Sequence, residues 1–251
     1  MRIAKDAALA GARIVAARFG SSSARPERKG AARGDYVSAV DRDSEAEIRR
    51  ALHDATPDIP ILAEEGGGER GERYWVVDPL DGTTNFLIGF PAVSVAVALV
   101  EEGRPAVAAV RAPILDLSFS AARGRGAWMG SERMWVSTRS PDRAIVATAL
   151  PFRDRSLMPR YLPVLERVFD AIEDVRRVGS AELDLAWTAC GVWDGYFELN
   201  LGVWDVAAGA LLVEEAGGVV TDWAGGPNYL SGDVLAGSSA THGVLLESAG
   251  G

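Results

Sequence analysis

The chain has 251 residues, 48% of them apolar, with 35 acidic against 26 Lys and Arg side chains and a net charge of −9. This suits one large domain or two packed subdomains with a real core, and the acidic balance argues against a general nucleic-acid surface, which needs a basic face. No apolar run approaches the roughly 20 residues that span a bilayer, and an N-terminus carrying Arg2, Lys5 and Asp6 does not read as a secretory signal.

Residues 3–19 mix small and apolar residues with charges and read as a helix. The polar stretch 21–34, with Gly, Pro and Arg, reads as a mobile loop. A helix is expected at about 43–55, with Ser44 or Asp43 as its cap and Glu45 and Glu47 in the first turn, where the helix dipole favours acids. Pro57 marks its end, and strands are expected at 60–63 and 73–78. Val- and Ala-rich stretches at 92–102, 104–113 and 116–121 read as an antiparallel meander, with a further hairpin punctuated by Gly124, Gly126 and Gly130.

A polar Ser-Pro segment at 138–143 is taken as the boundary between an N-terminal α+β subdomain (1–140), carrying most of the candidate ligands, and a C-terminal α/β subdomain (141–251). The second half alternates strand 144–149, helix 157–172, strand 174–178, helix 181–189, strand 196–199, helix 205–216, and strands 219–221 and 234–236. Alternation of this kind points to a mixed sheet covered by helices. Cys190, the only cysteine, excludes an internal disulfide and fits a reducing cytoplasm, where it reads as a buried structural thiol. The local basic pairs Arg123/Arg125, Arg153/Arg155 and Arg176/Arg177 read as solvated surface. His53 and His242 stand alone, so a zinc site or a histidine-based triad lacks parts.

The densest chemistry lies in Asp78-Pro79-Leu80-Asp81-Gly82-Thr83-Thr84-Asn85, directly after the apolar Tyr74-Trp75-Val76-Val77. Two carboxylates leave the end of a strand together, followed by a glycine and two threonines. Carboxylate oxygens suit Mg²⁺ beside a substrate phosphate. Gly82 permits close backbone approach, and the N–H groups of a helix start can point at an anion. Upstream, a short strand-like run ends in Glu64-Glu65-Gly66; downstream, Trp204-Asp205 precedes an Ala- and Leu-rich helix through Gly218. Each acid could by itself sit on the surface or cap a helix, Asp205 above all.

Taken together, Glu64-Glu65, Asp78 to Phe86 and Trp204 to Gly218 resemble the motifs of the inositol monophosphatase family in order and spacing, and the resemblance extends over almost the whole chain. It implies a mixed α+β, α/β fold: a layered α/β/α/β/α sandwich of the inositol monophosphatase/fructose-1,6-bisphosphatase type. It implies two or three Mg²⁺ ions, with Glu64, Asp78 and the Leu80 carbonyl on one, Asp78, Asp81 and Asp205 on a second, and Glu64 shared with a third. Mn²⁺ is expected to substitute, and Li⁺ or Ca²⁺ to inhibit. Two such ions can clamp the attacking and leaving oxygens of an in-line displacement and make water easier to ionise.

In the same resemblance Glu64 and Thr83 orient the attacking water, with Asp41 behind Thr83. On the residues alone Thr83 is equally an ordinary helix-start threonine, and Asp41 could cap the following helix or do both. Substrate contacts are expected from Asp81, Gly82, Thr83, Gly179, Ser180, Ala181, Glu198 and Asp205; Asn85 and Trp204 read as structural. The chain departs from many members at Gly30, beside Lys29, where a lysine is common, and along Leu199 to Val203. The implied reaction is Mg²⁺-dependent hydrolysis of inositol monophosphate or a similar sugar or polyol phosphate. Histidinol phosphate, fructose 1,6-bisphosphate and 3′-phosphoadenosine phosphate are the alternative substrates, and a regulatory protein binding a macromolecule is the alternative class. A homodimer is expected from the resemblance, with no nucleic-acid or membrane partner. Asp81→Asn is expected to cut turnover at unchanged fold.

Overall fold

The computed structural model describes residues 1–20, 27–28 and 36–250. The expected loop at 21–34, apart from 27–28, and the departures at Lys29 and Gly30 therefore lie outside the described residues.

Strands β1 (Glu27–Arg28) and β2 (Tyr36–Val37) form a short antiparallel ladder. A seven-stranded sheet then follows chain order: β3 (Ile61–Ala63), β4 (Arg73–Asp81), β5 (Ser94–Glu101), β6 (Arg104–Ala112), β7 (Leu117–Ala122), β8 (Ala127–Met129) and β9 (Glu132–Arg133). Only β3 and β4 in it are parallel. A five-stranded mixed sheet has the order β11 (Asp174–Arg176), β10 (Ile145–Thr148), β12 (Gly195–Glu198), β14 (Val234–Gly237) and β13 (Val219–Thr221).

Helices cover both faces of both sheets. Helices α1 (Arg2–Arg18) and α2 (Ala39–Ala55) pack on the outer face of the large sheet. Helices α5 (Ala181–Ala189) and α6 (Ala207–Glu215) lie between the sheets, and α4 (Met158–Ala171) and α7 (Ser239–Gly250) cover the outer face of the small one. The short α3 (Thr83–Ile88) follows β4. The result is the expected α/β/α/β/α sandwich, with three hydrophobic clusters in its layers.

The period-2 geometry of a strand explains how one sheet feeds two cores. In β4 Trp75 and Val77 enter the outer cluster while Tyr74 and Val76 enter the central one. In β5 Val95, Val97 and Leu99 face outward, and Ala96, Ala98 and Val100 face the centre. Such strands read as continuous apolar runs because both faces are covered. Helix α6 is buried all round, from Ala207 to Val213, which suits a central layer. Helices α1 and α2 approach closely at Gly11, where a Cβ would stand 2.6 Å from Ile48 Cδ1 and from Ser44 Oγ.

Two expectations change. Helix α2 begins at Ala39, not 43, because Ser38 caps it: its Oγ accepts from Val40 N at 3.1 Å, and its own N–H donates to Asp41 Oδ2 at 2.8 Å. Ser44 and Asp43 lie inside the helix. Helix α7 was not expected; its buried face, Thr241, His242, Leu245 and Ser248, is too polar to show as an apolar stripe. Cys190, just past α5, is half-buried, and burial pushes its thiol upward. No helix among the described residues is long and apolar enough to cross a membrane.

Candidate active site

The site begins with an irregularity in β4. Strict alternation would send Asp78 and Asp81, three residues apart, to opposite faces. The pairing of β4 with β5 shifts register between them, so the chain gains a residue there. Leu80 consequently packs into the outer cluster while both carboxylates face the central helices. Helix α2 braces this bulge, since Ser44 Oγ donates to the Pro79 carbonyl at 2.7 Å.

Asp205 reaches the same point from the short 3₁₀ turn Val203–Asp205 ahead of α6. One carboxylate oxygen from each of Asp78, Asp81 and Asp205 lies within 4.8 Å of the others, and all three residues are buried. Asp78 Oδ1 accepts from Leu80 N at 3.0 Å, but its buried Oδ2 has no hydrogen-bond partner. Burial first, then the charges of Glu64, Asp81 and Asp205, raise Asp78 well above the usual carboxylate range. Burial and then Glu64 raise Asp205 in the same direction. Three crowded acids with an orphaned oxygen fit a hard cation, and the all-oxygen donor set suits a divalent one.

Glu64, just after β3, is not one of that trio, although its charge is the largest acting on Asp78 and Asp205. Its loop is held by Glu45 of α2, whose carboxylate accepts from Glu65 N at 2.9 Å and Gly66 N at 3.0 Å. Gly82 takes a φ of 88° and opens α3, with Thr83 its first residue. The Thr83 hydroxyl donates to Asp41 Oδ1 at 3.0 Å and approaches the Leu80 carbonyl at 3.2 Å. Asp41 thus both closes the α2 cap and holds Thr83; burial raises its carboxyl.

All eight expected substrate contacts, Asp81, Gly82, Thr83, Gly179, Ser180, Ala181, Glu198 and Asp205, line one cleft. Glu198 ends β12, with Oε2 accepting the Tyr196 hydroxyl, and burial raises its carboxyl to about 7. Asn85 is structural as expected: its amide donates to Ala92 O at 2.8 Å, Val178 O at 3.1 Å and Gly179 O at 3.2 Å, tying α3 to the approach to α5.

Asp81 has a larger structural part than a ligand alone. It accepts from Ser180 Oγ at 2.6 Å, Glu182 N at 2.9 Å, Ala181 N at 3.2 Å and Ser94 Oγ at 3.2 Å. It therefore anchors the start of α5, and the expectation that Asp81→Asn leaves the fold unchanged does not fit these bonds. The sequence reading also missed Glu182, fully buried in the central layer, whose oxygens accept from Ala208 N at 3.0 Å and Gly209 N at 2.5 Å. It locks α5 to the α6 start beside Asp205. Arg153 and Arg177 are exposed, as expected, and stand where they also line the cleft.

Comparison with known proteins agrees with this architecture. A model described as the inositol monophosphatase family matches residues 1–250. The Nus factor SuhB of Pseudomonas aeruginosa is 42% identical over 221 residues, 84% of this chain and 82% of that protein. The extragenic suppressor protein suhB of Bartonella henselae superposes with a TM-score of 0.94 at 37% identity, covering 99% of this chain and 97% of that one. The inositol monophosphatase of Anabaena (Nostoc) sp. PCC 7120 superposes with a TM-score of 0.86 at 34% identity, covering 98% and 93%.

Proposed function

The chain belongs to the inositol monophosphatase family, and on that premise we propose that it is a divalent-cation-dependent phosphomonoesterase acting on a sugar or polyol phosphate, inositol monophosphate first. The observation that carries this reading is the convergence of Asp78, Asp81 and Asp205 within 4.8 Å, with Asp78 Oδ2 unpartnered, at the cleft that Gly82 and Thr83 also line. Asp78, Asp81, Asp205, Glu64 and the Leu80 carbonyl would hold Mg²⁺. When bound, the cations supply charge neutralisation at the phosphate and a water that ionises near neutral pH.

The protein's own groups do the rest. The first N–H groups of α3 have no partner inside the helix and can donate to phosphate oxygens. Thr83 gives its proton to Asp41, so its oxygen lone pairs are left to accept from the attacking water. Burial makes Asp41 a better proton acceptor than an exposed carboxylate. Glu64 orients the same water from the β3 side, and Glu198 accepts hydroxyls of the substrate ring. No covalent enzyme intermediate is needed, and no histidine or cysteine lines the cleft among the described residues. A cytoplasmic location, a homodimer and inhibition by Li⁺ or Ca²⁺ belong to the same proposal.

The test is phosphate release from myo-inositol 1-phosphate with and without Mg²⁺, beside histidinol phosphate, fructose 1,6-bisphosphate and 3′-phosphoadenosine 5′-phosphate. Mg²⁺-dependent turnover of any of them supports the reaction, and the preferred one names the substrate. Silence on all four from folded protein removes the reading. The name Nus factor carried by the Pseudomonas aeruginosa relative favours one second reading, a regulatory role through a macromolecular partner. A pull-down whose yield survives Asp78→Asn would separate that role from catalysis.

A further inference from the structure

Asp205 is the acid that the chain offers as a cap for α6, yet it does not cap that helix. Its Oδ2 accepts backwards from Gly202 N at 2.6 Å, and its carboxylate meets Asp78 and Asp81. Val206, which holds the cap position of α6, gives the helix no side-chain hydrogen bond. The first N–H groups of a helix have no partner inside it, and burying them without one is costly. Here they lie in the central layer, where Ala207, Ala208 and Gly209 are all buried. Glu182, in the first turn of α5, supplies the missing acceptors. Its Oε1 accepts from Ala208 N at 3.0 Å and its Oε2 from Gly209 N at 2.5 Å.

The same residue holds the other side of the trio. Its own N–H donates to Asp81 Oδ2 at 2.9 Å, beside Ser180 Oγ and Ala181 N. With its main chain on Asp81 and its side chain on the helix that follows Asp205, Glu182 spans two candidate ligands from opposite halves of the sequence. The two helices meet closely at this point: a Cβ on Gly209 would stand 2.4 Å from Leu185 Cβ and 2.9 Å from Glu182 Oε2. Glu182 is fully buried and is not one of the acids whose oxygens converge. Without its carboxylate, the acid nearest in the chain to the stranded Ala208 N–H is Asp205. It lies three residues ahead, the spacing at which a cap residue bonds a helix N–H.

We propose that Glu182 is a positioning residue for the cation site: by capping α6 from α5 it relieves Asp205 of the cap and holds Asp205 and Asp81 at one separation, so that both face the same cation. This deepens the phosphatase reading and rests on it for the presence of the cation.

The experiment compares wild type with Glu182→Gln, Glu182→Ala and Val168→Ala, the last a cavity in the outer cluster under α4 that does not touch the cleft. Three quantities are measured: Mg²⁺ affinity by calorimetry on metal-stripped protein, melting temperature in EDTA, and kcat and KM for myo-inositol 1-phosphate at saturating Mg²⁺. All three variants should melt below wild type. Glutamine keeps the volume but offers one acceptor oxygen, and alanine offers none. The Mg²⁺ Kd should therefore rise at least about tenfold in Glu182→Gln, the scale for groups that orient metal ligands, and further in Glu182→Ala. In both, kcat should fall while KM for the ester moves little, because the change lies at the cations and not at the ring contacts. Val168→Ala should keep the wild-type Mg²⁺ Kd and kcat. Glu182 variants that melt lower but bind Mg²⁺ as wild type does would overturn the proposal and leave the phosphatase reading standing. Wild type that binds no Mg²⁺ would overturn both. Hydrogen exchange on Mg²⁺-loaded wild type needs no variant to fold: the Ala208 and Gly209 amide protons should exchange slowly, and fast exchange at either would overturn the cap.

Discussion

The Thr83 hydroxyl donates to Asp41 Oδ1 at 3.0 Å, joining the start of α3 to the first turn of α2 across 42 residues of chain. Asp41 Oδ2 meanwhile accepts both the N–H and the Oγ–H of Ser38. An asparagine offers only one acceptor oxygen, so Asp41→Asn must give up either the cap or Thr83. The expected result is a loss of about 1 kcal/mol from the cap and a fall in kcat of at least roughly 10²-fold, the range of a proton-transfer partner. Thr83→Ala should lose a similar factor, while Thr83→Ser keeps most of the rate. The double variant Asp41→Asn, Thr83→Ala should be no worse than either single change, because both act through one bond. Multiplicative losses would show that the pair does not work as a unit.

Glu198 makes the stability of the fold depend on pH. Burial raises its carboxyl from an ordinary 4.5 to about 7. A folded pKa above the unfolded one means the fold prefers the protonated acid. The associated stability is complete below about pH 4.5 and is lost as pH rises through about 7. At 1.36 kcal/mol per unit the loss is at most about 3 kcal/mol. Denaturant titrations in EDTA at pH 5 and 8 should therefore show Glu198→Gln gaining on wild type at the higher pH. The Tyr196 hydroxyl bonds to the carboxylate and holds its pKa down, so Tyr196→Phe should move the transition above pH 7. A wild-type minus Glu198→Gln difference that is flat with pH would refute the assignment.

The strands and helices were legible because apolar strands and small-residue helices each carry their own period, whereas the order of layers came from the resemblance to the family. Asp78 and Asp81 stood out as a local pair after a strand, but Asp205 was equally a helix cap on its own residues, and the resemblance joined it to them. The bulge that turns Asp78 and Asp81 to one face was not, since it is defined by pairing with β5. Glu182 and Ser94 were missed for a related reason: their partners lie far away in the chain, and nothing in their local pattern marks them. The α2 start was misplaced because Ser38 and Asp41 form a reciprocal cap that Ser44 mimics in composition.

Gly82 and Gly89 flank α3, both in left-handed backbone, and offer a controlled comparison. A Cβ on Gly82 would stand 3.0 Å from Ala92 O and 3.3 Å from Gly179 O, whereas one on Gly89 meets nothing within 4 Å. Gly89→Ala should cost only the left-handed penalty, about 1–2 kcal/mol. Gly82→Ala should cost more, because two carbonyls on separate segments must move, and should lower kcat by shifting the α3 start. Equal thermal melting losses for the two variants would contradict the crowding at Gly82.

Asp78 and Asp81 differ in what surrounds their oxygens. Asp78 keeps a single hydrogen bond, from Leu80 N to Oδ1, and its buried Oδ2 has none, so Asn fits with one charge fewer among three crowded acids. In EDTA, Asp78→Asn should melt at or above the wild-type temperature, because removing a like charge relieves repulsion. Asp81 receives four donors, and an amide nitrogen placed among them leaves at least one buried donor unsatisfied, at about 1–3 kcal/mol. Asp81→Asn should therefore melt below wild type even without metal. Mg²⁺ should raise the melting temperature of wild type through preferential binding to the folded state and do so far less in both variants. Turnover should fall in both by at least roughly 10³-fold, the scale of losing a main charge-stabilising group. If Mg²⁺ still stabilises Asp78→Asn as much as wild type, the cation does not sit on the orphaned Asp78 oxygen.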